Sequence, residues 1–125
     1  VRMSKYNERI MRDAIDRQYG WTVDLERKTR LNISPKSVLY KNSEIELAVE
    51  SVEPYQSVPR ETHEHSTQFI RVESGSATIK VGSEEYKLST SAGEVDSIVV
   101  PKNVQHEIVA GAFGFKFYTI YAPPL

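Results

Sequence analysis

The hydrophobic positions of the chain follow two different periods, one near its beginning and another over the rest. In residues 4–19, apolar side chains such as Tyr6 and Ile10 recur at helical spacing, with charged residues between them. Ser4 is a suitable N-cap, and Gly20 follows the last periodic residue, where a left-handed residue commonly closes a helix. The pattern predicts an amphipathic helix over 4–19 that packs on the core or on a partner subunit. A membrane-surface role is the weaker alternative.

From Ser37 onward the period is two, which is the side-chain period of a β-strand. In residues 44–49, isoleucine, leucine and valine alternate with glutamate and alanine. Similar short runs follow at residues 67–73, 77–81, 84–88, 96–100, 105–110 and 115–121. Many short strands favour a β-sandwich or a closed barrel, because these architectures hide the edges of antiparallel sheets.

Turn-forming residues separate the predicted strands. Gly82 and Ser83 lie between two alternating runs, as the two central residues of a tight hairpin would. The other turn signals are Pro54, Pro59, Ser74–Gly75, Ala92–Gly93, Pro101 and Gly111–Gly114. Their spacing supports an all-β domain over most of the chain.

Composition and charge narrow the class of protein. The 125 residues fit one compact domain, and 26% charged with 39% hydrophobic residues is the balance of an ordinary globular protein. The net charge is −1, and the mild basic excess of residues 1–30 is interrupted by acidic residues, so we expect no nucleic-acid partner. No run approaches the ~20 apolar residues of a membrane span. We therefore expect a cytoplasmic protein without a membrane partner.

The chain contains three histidines and no cysteine, so any bound metal must be held by nitrogen and oxygen atoms. His63 and His65 are two residues apart. On a strand they would share a face and reach a common ion. An isolated pair of this kind is, however, more often a pair of surface or hydrogen-bonded histidines.

Two spaced motifs make a metal site the better interpretation of these histidines. The stretch from His63 to Gln68 leads seven residues later to Gly75, and Gly93 leads to a proline at position 101 and, five residues further, to His106. This arrangement resembles the paired signature motifs of the cupin superfamily. The closing segment, residues 118–124, is also similar to that of small single-domain cupins.

The resemblance covers residues 35–125 and implies a double-stranded β-helix, a jelly-roll barrel with a metal ion inside. Together with the helical pattern near the beginning, it predicts an all-β cupin barrel with an N-terminal α-helix. We expect a helical extension over residues 1–30 and the barrel domain over residues 31–125. The amphipathic helix and the resemblance also predict a homodimer.

Carried over position by position, the resemblance implies four ligands of a divalent metal ion, His63, His65, Gln68 and His106. The gap between His65 and Gln68 is one residue shorter than the common pattern, Asn103 stands where a glycine is usual, and a glutamine replaces the usual glutamate. Three imidazoles and a neutral amide would leave the full charge of +2 on the metal, which favours an anionic ligand. Iron, manganese, nickel and zinc all suit such a site.

Each of these residues also has a structural alternative. Gln68 fits a hydrogen-bonding role at the barrel rim, and His106 fits a satisfied buried histidine. Glu61 alternates with His63 and His65, which makes it a candidate carboxylate ligand or a base beside the metal. A solvent-facing Glu61 at the barrel mouth is the simpler alternative.

A barrel with a buried metal supports several functions. The first hypothesis is a metal-dependent enzyme acting on a small organic molecule, with a non-haem dioxygenase as its leading form. The second is a non-enzymatic module that binds or senses a small molecule or a metal. The third is a sugar isomerase or epimerase, which needs an acid and base pair. The sequence identifies no catalytic residue.

Overall fold

The computed structural model describes residues 20–125, and the predicted helix over residues 4–19 lies outside them. The described residues form one helix and seven strands: α1 (Leu25–Leu31), β1 (Lys36–Lys41), β2 (Glu46–Val52), β3 (Ser57–Glu61), β4 (Thr67–Val81), β5 (Glu84–Ser89), β6 (Ser97–Val100) and β7 (His106–Ala122). This confirms the all-β expectation.

Helix α1 lies in a segment whose sequence pattern is too loose to predict it. Asp24 caps the helix by accepting a hydrogen bond from the backbone N–H of Arg27 at 3.3 Å. The Thr29 hydroxyl donates to the Leu25 carbonyl at 2.7 Å, and this side chain is buried. The helix therefore depends on its cap and on contacts with β2, β4 and β7 rather than on a long apolar stripe. No helix of residues 20–125 is long and apolar enough to cross a membrane.

The two longest strands, β4 and β7, each take part in both layers of the barrel. Residues 67–75 of β4 pair with residues 115–122 of β7, and β1, β2 and β6 complete this first layer. Residues 77–81 of β4 pair with residues 106–110 of β7, and β3 and β5 complete the second layer. The chain thus forms one continuous antiparallel hydrogen-bonded network that folds over on itself.

Both long strands change layers at glycines. The sequence predicts turns at Ser74–Gly75 and Gly111–Gly114, but each strand continues through these residues as a bend with irregular register. Gly75 and Gly114 have positive φ angles of 82° and 79°. A Cβ atom on Gly75 would collide with the carbonyl oxygen of Gly114. Close approach of two backbones therefore requires glycine here.

The core lies between the two layers. Phe115 and Phe117 are fully buried and stack at 4.7 Å between ring centroids, and Ile70 and Ile79 are also inaccessible to solvent. The predicted hairpin at Gly82–Ser83 is confirmed, because Val81 pairs with Glu84 across those two residues. At one end of the barrel the inward-facing residues change from apolar to polar, and this end contains the candidate site.

Candidate metal centre

Glu61, His63 and His106 meet at the polar end of the barrel. Glu61 is the last residue of β3 and pairs with His106, the first residue of β7, while His63 follows in the loop after β3. Their candidate ligand atoms all lie within 4.8 Å of one another. The antiparallel pairing of β3 with β7 therefore brings the carboxylate and one imidazole together, and the loop adds the second imidazole.

His63 has an imidazole nitrogen without a hydrogen bond. Its Nε2 atom is buried and lies 3.2 Å from Oε2 of Glu61, but the two atoms are not aligned for a hydrogen bond. Burial, and next the neighbouring His106, lower the pKa of His63. A lowered pKa favours the neutral imidazole, which is the form that binds a metal.

His106 is oriented by the backbone beside it. The side chain is buried, and its Nδ1 atom lies 3.1 Å from the Val104 carbonyl oxygen. Since a carbonyl only accepts, Nδ1 carries the proton and donates, which in a neutral ring leaves the lone pair on Nε2. The rings of His106 and His63 have centroids 4.9 Å apart. This is the arrangement of a histidine held in the tautomer needed for ligation.

Gln68 presents a second unpaired polar atom. Its side chain is buried, and its amide nitrogen donates to Thr119 Oγ1 at 3.0 Å and to Tyr121 Oη at 3.1 Å. The amide oxygen, Oε1, is buried and has no hydrogen-bond partner. Gln68 lines a small cavity of about 10 Å³ together with Glu61 and His106. That volume is enough for one water-sized group.

Comparison with known proteins supports the fold. The Cupin domain family matches residues 48–121 of the chain. The chain belongs to the cupin family. It is 28% identical over 119 residues to the uncharacterized protein YrkC of Bacillus subtilis, with 90% of this chain and 64% of YrkC covered. This cupin thus spans less than two thirds of the length of that relative.

Solved structures resemble this cupin in fold. BH2720 from Bacillus halodurans superimposes with a TM-score of 0.78 at 23% identity, covering 86% of this chain and 83% of BH2720. A Klebsiella pneumoniae protein with a double-stranded β-helix domain gives a TM-score of 0.67 at 19% identity, with 84% and 91% coverage. The predicted jelly-roll fold is therefore confirmed.

His65 lies away from the other predicted ligands. Its side chain is 87% exposed, and its Nε2 atom lies 3.8 Å from Oε2 of the neighbouring Glu64. The prediction that His63 and His65 share a face required both to lie on a strand. Strand β3 ends at Glu61, however, and residues 62–66 form a loop. Alternation of faces is lost there, so the structure does not bring His65 to the site.

Of the four predicted ligands, the structure does bring together His63, Gln68 and His106, and beside them it places Glu61, the candidate carboxylate ligand from the sequence. The candidate metal-binding triad in this cupin is Glu61, His63 and His106. The short gap between His65 and Gln68 was the signal for this difference. Moving the first motif by two residues, from 63 and 65 to 61 and 63, lengthens that gap by two residues.

Behind Gln68 lies a half-buried, hydrogen-bonded acid, Glu50, that the sequence does not single out. The Tyr121 hydroxyl donates to Oε2 of Glu50 at 3.3 Å. Burial raises the pKa of Glu50 to about 7, although Lys36 acts in the opposite direction, and burial also raises the pKa of Tyr121. Lys36 is itself paired with Glu46 at 3.1 Å. This cupin therefore holds a carboxyl group next to the site that changes protonation near neutral pH.

Proposed function

We propose that this cupin is a metal-dependent enzyme, with a non-haem iron oxygenase as its leading form, acting on a small anionic organic molecule. The observation that carries the proposal is the donor set of Glu61, His63 and His106. One carboxylate and two imidazoles on one side of an ion leave coordination positions open, an arrangement typical of non-haem iron(II) oxygenases.

The residues of the site fit a cation. Buried polar atoms without partners are rare in folded proteins, and two of them, His63 Nε2 and Gln68 Oε1, lie at this end of the barrel. Both atoms have a lone pair to offer when neutral His63 carries its proton on Nδ1. A divalent ion between them would satisfy atoms that are otherwise costly to bury.

The surroundings of the triad suit binding of an external molecule. The Glu61 side chain is 42% exposed, so the site opens to solvent on its side. Val58 and Ile108 add apolar side chains to the lining of the cavity. An iron(II) ion bound here would supply oxygen activation, while Glu61, His63 and His106 would hold it and Gln68 would offer its unpaired Oε1 beside it.

The test combines metal analysis with oxygen uptake. Wild-type protein supplied with iron(II), manganese, nickel or zinc is expected to bind one equivalent, whereas His63→Ala and His106→Ala are expected to bind substantially less. The iron form is expected to consume oxygen with at least one small enol, thiol or catechol. Protein that stays metal-free with all four ions would refute the metal site. Metal binding without oxygen uptake would refute the oxygenase.

A second candidate is a module that binds or senses metal without catalysis. The cavity beside Gln68 has a volume of only about 10 Å³, which favours an ion or a water molecule over an organic substrate on that side. Stoichiometric metal binding with no turnover of any tested molecule would support this alternative.

A further inference from the structure

We infer that Thr119 and Tyr121 hold position 68 as an uncharged amide and direct its carbonyl oxygen towards the triad, so that the loaded site retains a single positive charge and selects a singly charged anion. The inference rests on the proposed metal site. It assigns positioning roles to two residues that do not belong to the triad. It also narrows the class of substrate.

The hydroxyl groups around Gln68 have their hydrogens directed elsewhere. The Thr119 hydroxyl donates to the Phe69 carbonyl at 2.8 Å, and the Tyr121 hydroxyl donates to Oε2 of Glu50 at 3.3 Å. Each hydroxyl oxygen therefore turns a lone pair towards position 68. An amide NH₂ group supplies the two hydrogens that these lone pairs need, whereas an ionised carboxylate supplies none.

The same two hydrogen bonds determine where the amide oxygen points. Both hydrogens of the Gln68 nitrogen are used, at 3.0 Å to Thr119 and 3.1 Å to Tyr121. Oε1 occupies the other end of the planar amide and has no partner, and Gln68 shares its cavity with Glu61 and His106. Rotation of the amide by half a turn would break both hydrogen bonds.

The charge of the site follows from this arrangement. Among Glu61, His63, His106 and Gln68, only Glu61 carries a charge when the imidazoles are neutral. A divalent ion bound there keeps one net positive charge, which matches a single carboxylate or enolate. Glu50 and Glu107 line the same cavity, so this count holds for the form in which Glu50 is protonated, while Glu107 is balanced by Arg60 at 3.8 Å. Lys36 and Glu46, which lie behind Tyr121, pair at 3.1 Å and together add no net charge. A glutamate at position 68 would cancel the remaining charge.

The first experiment measures cobalt(II) affinity by titration of the visible absorption spectrum. Thr119→Val keeps the shape of the side chain but removes the acceptor, and it is expected to weaken binding about tenfold, the lower end of the effect of residues that orient ligands. Thr119→Ser keeps the hydroxyl and is expected to stay within about threefold of wild type. Tyr121→Phe, which removes only a hydroxyl, provides a second variant if Thr119→Val fails to fold. Wild-type affinity and spectrum in both Thr119→Val and Tyr121→Phe would overturn the inference.

The second experiment measures binding of azide, a singly charged probe anion, to the cobalt(II) form. Gln68→Glu is expected to bind azide at least about tenfold more weakly than wild type, because the added charge opposes the anion at close range. Equal azide affinity in the two proteins would overturn the charge argument. Wild-type protein that binds no cobalt would instead refute the proposed metal site, so the two failures are distinguishable.

Discussion

The middle of the barrel and its polar end are built from the same two strands but serve opposite purposes. In the middle, Phe115 and Phe117 are fully buried and have no side-chain polar atom to satisfy. At the polar end, His63 Nε2 and Gln68 Oε1 are buried without hydrogen-bond partners. The middle lowers the free energy of the folded chain, whereas the end retains unsatisfied groups that a ligand would use. Substitutions in the two regions should therefore separate stability from binding.

The largest expected effect is in the middle. Phe117→Ala removes a fully buried ring and is expected to lower the free energy of unfolding by about 3–5 kcal/mol. Phe113, which is 90% exposed, is the matched control, and Phe113→Ala is expected to stay within about 0.5 kcal/mol of wild type. Urea denaturation followed by circular dichroism measures both. Equal losses in the two variants would contradict the assignment of the core.

A pH dependence of similar size is expected from Glu50. Burial raises its pKa from 4.5 to about 7, so between these values the folded protein holds a proton that the unfolded chain releases. The free energy of unfolding of metal-free protein should therefore fall by about 3 kcal/mol as pH rises from 4.5 to 7, and then level off. Below pH 4.5 this contribution is fully present.

Glu50→Gln isolates this effect, because other groups titrate in the same range. The difference in unfolding free energy between wild type and variant, measured by denaturation at several pH values, should shift by about 3 kcal/mol across that range in favour of the variant at high pH. A difference that does not change with pH would show that Glu50 is not held in a desolvated position.

At the polar end, substitution of a candidate ligand should change metal binding much more than it changes the stability of the metal-free protein. His63→Leu removes a buried nitrogen that has no hydrogen bond, so the metal-free variant is expected to stay within about 1 kcal/mol of wild type. Metal present at one hundred times its dissociation constant should stabilise wild type by about 2.7 kcal/mol and the variant by almost nothing. Thermal denaturation with and without metal makes this comparison. Full metal stabilisation of His63→Leu would remove His63 from the site.

The sequence predicts the barrel better than it predicts the site. Alternating residues and the hairpin at Gly82–Ser83 are local signals, and the structure confirms them. The bends at Gly75 and Gly114 look like turns in the sequence, because glycine is favoured both in a turn between two strands and in a bend within one strand. Whether the strand continues depends on pairing between distant parts of the chain.

The site depends on such pairing even more. His63 and His106 follow from motif spacing, but the end of β3 at Glu61 is determined by its pairing with β7. The contacts of Gln68 with Thr119 and Tyr121 join residues 51 and 53 positions apart. No local pattern encodes that register, so these two residues could not be found before the strands were placed.

The most direct test of the account compares Glu61→Gln with His65→Ala. Isothermal titration of metal-free protein with iron(II) or cobalt(II) gives the affinity of each variant. His65 is 87% exposed, so His65→Ala is expected to bind one equivalent with wild-type affinity, whereas Glu61→Gln is expected to bind at least about tenfold more weakly. Loss of binding in His65→Ala with wild-type binding in Glu61→Gln would contradict the candidate triad.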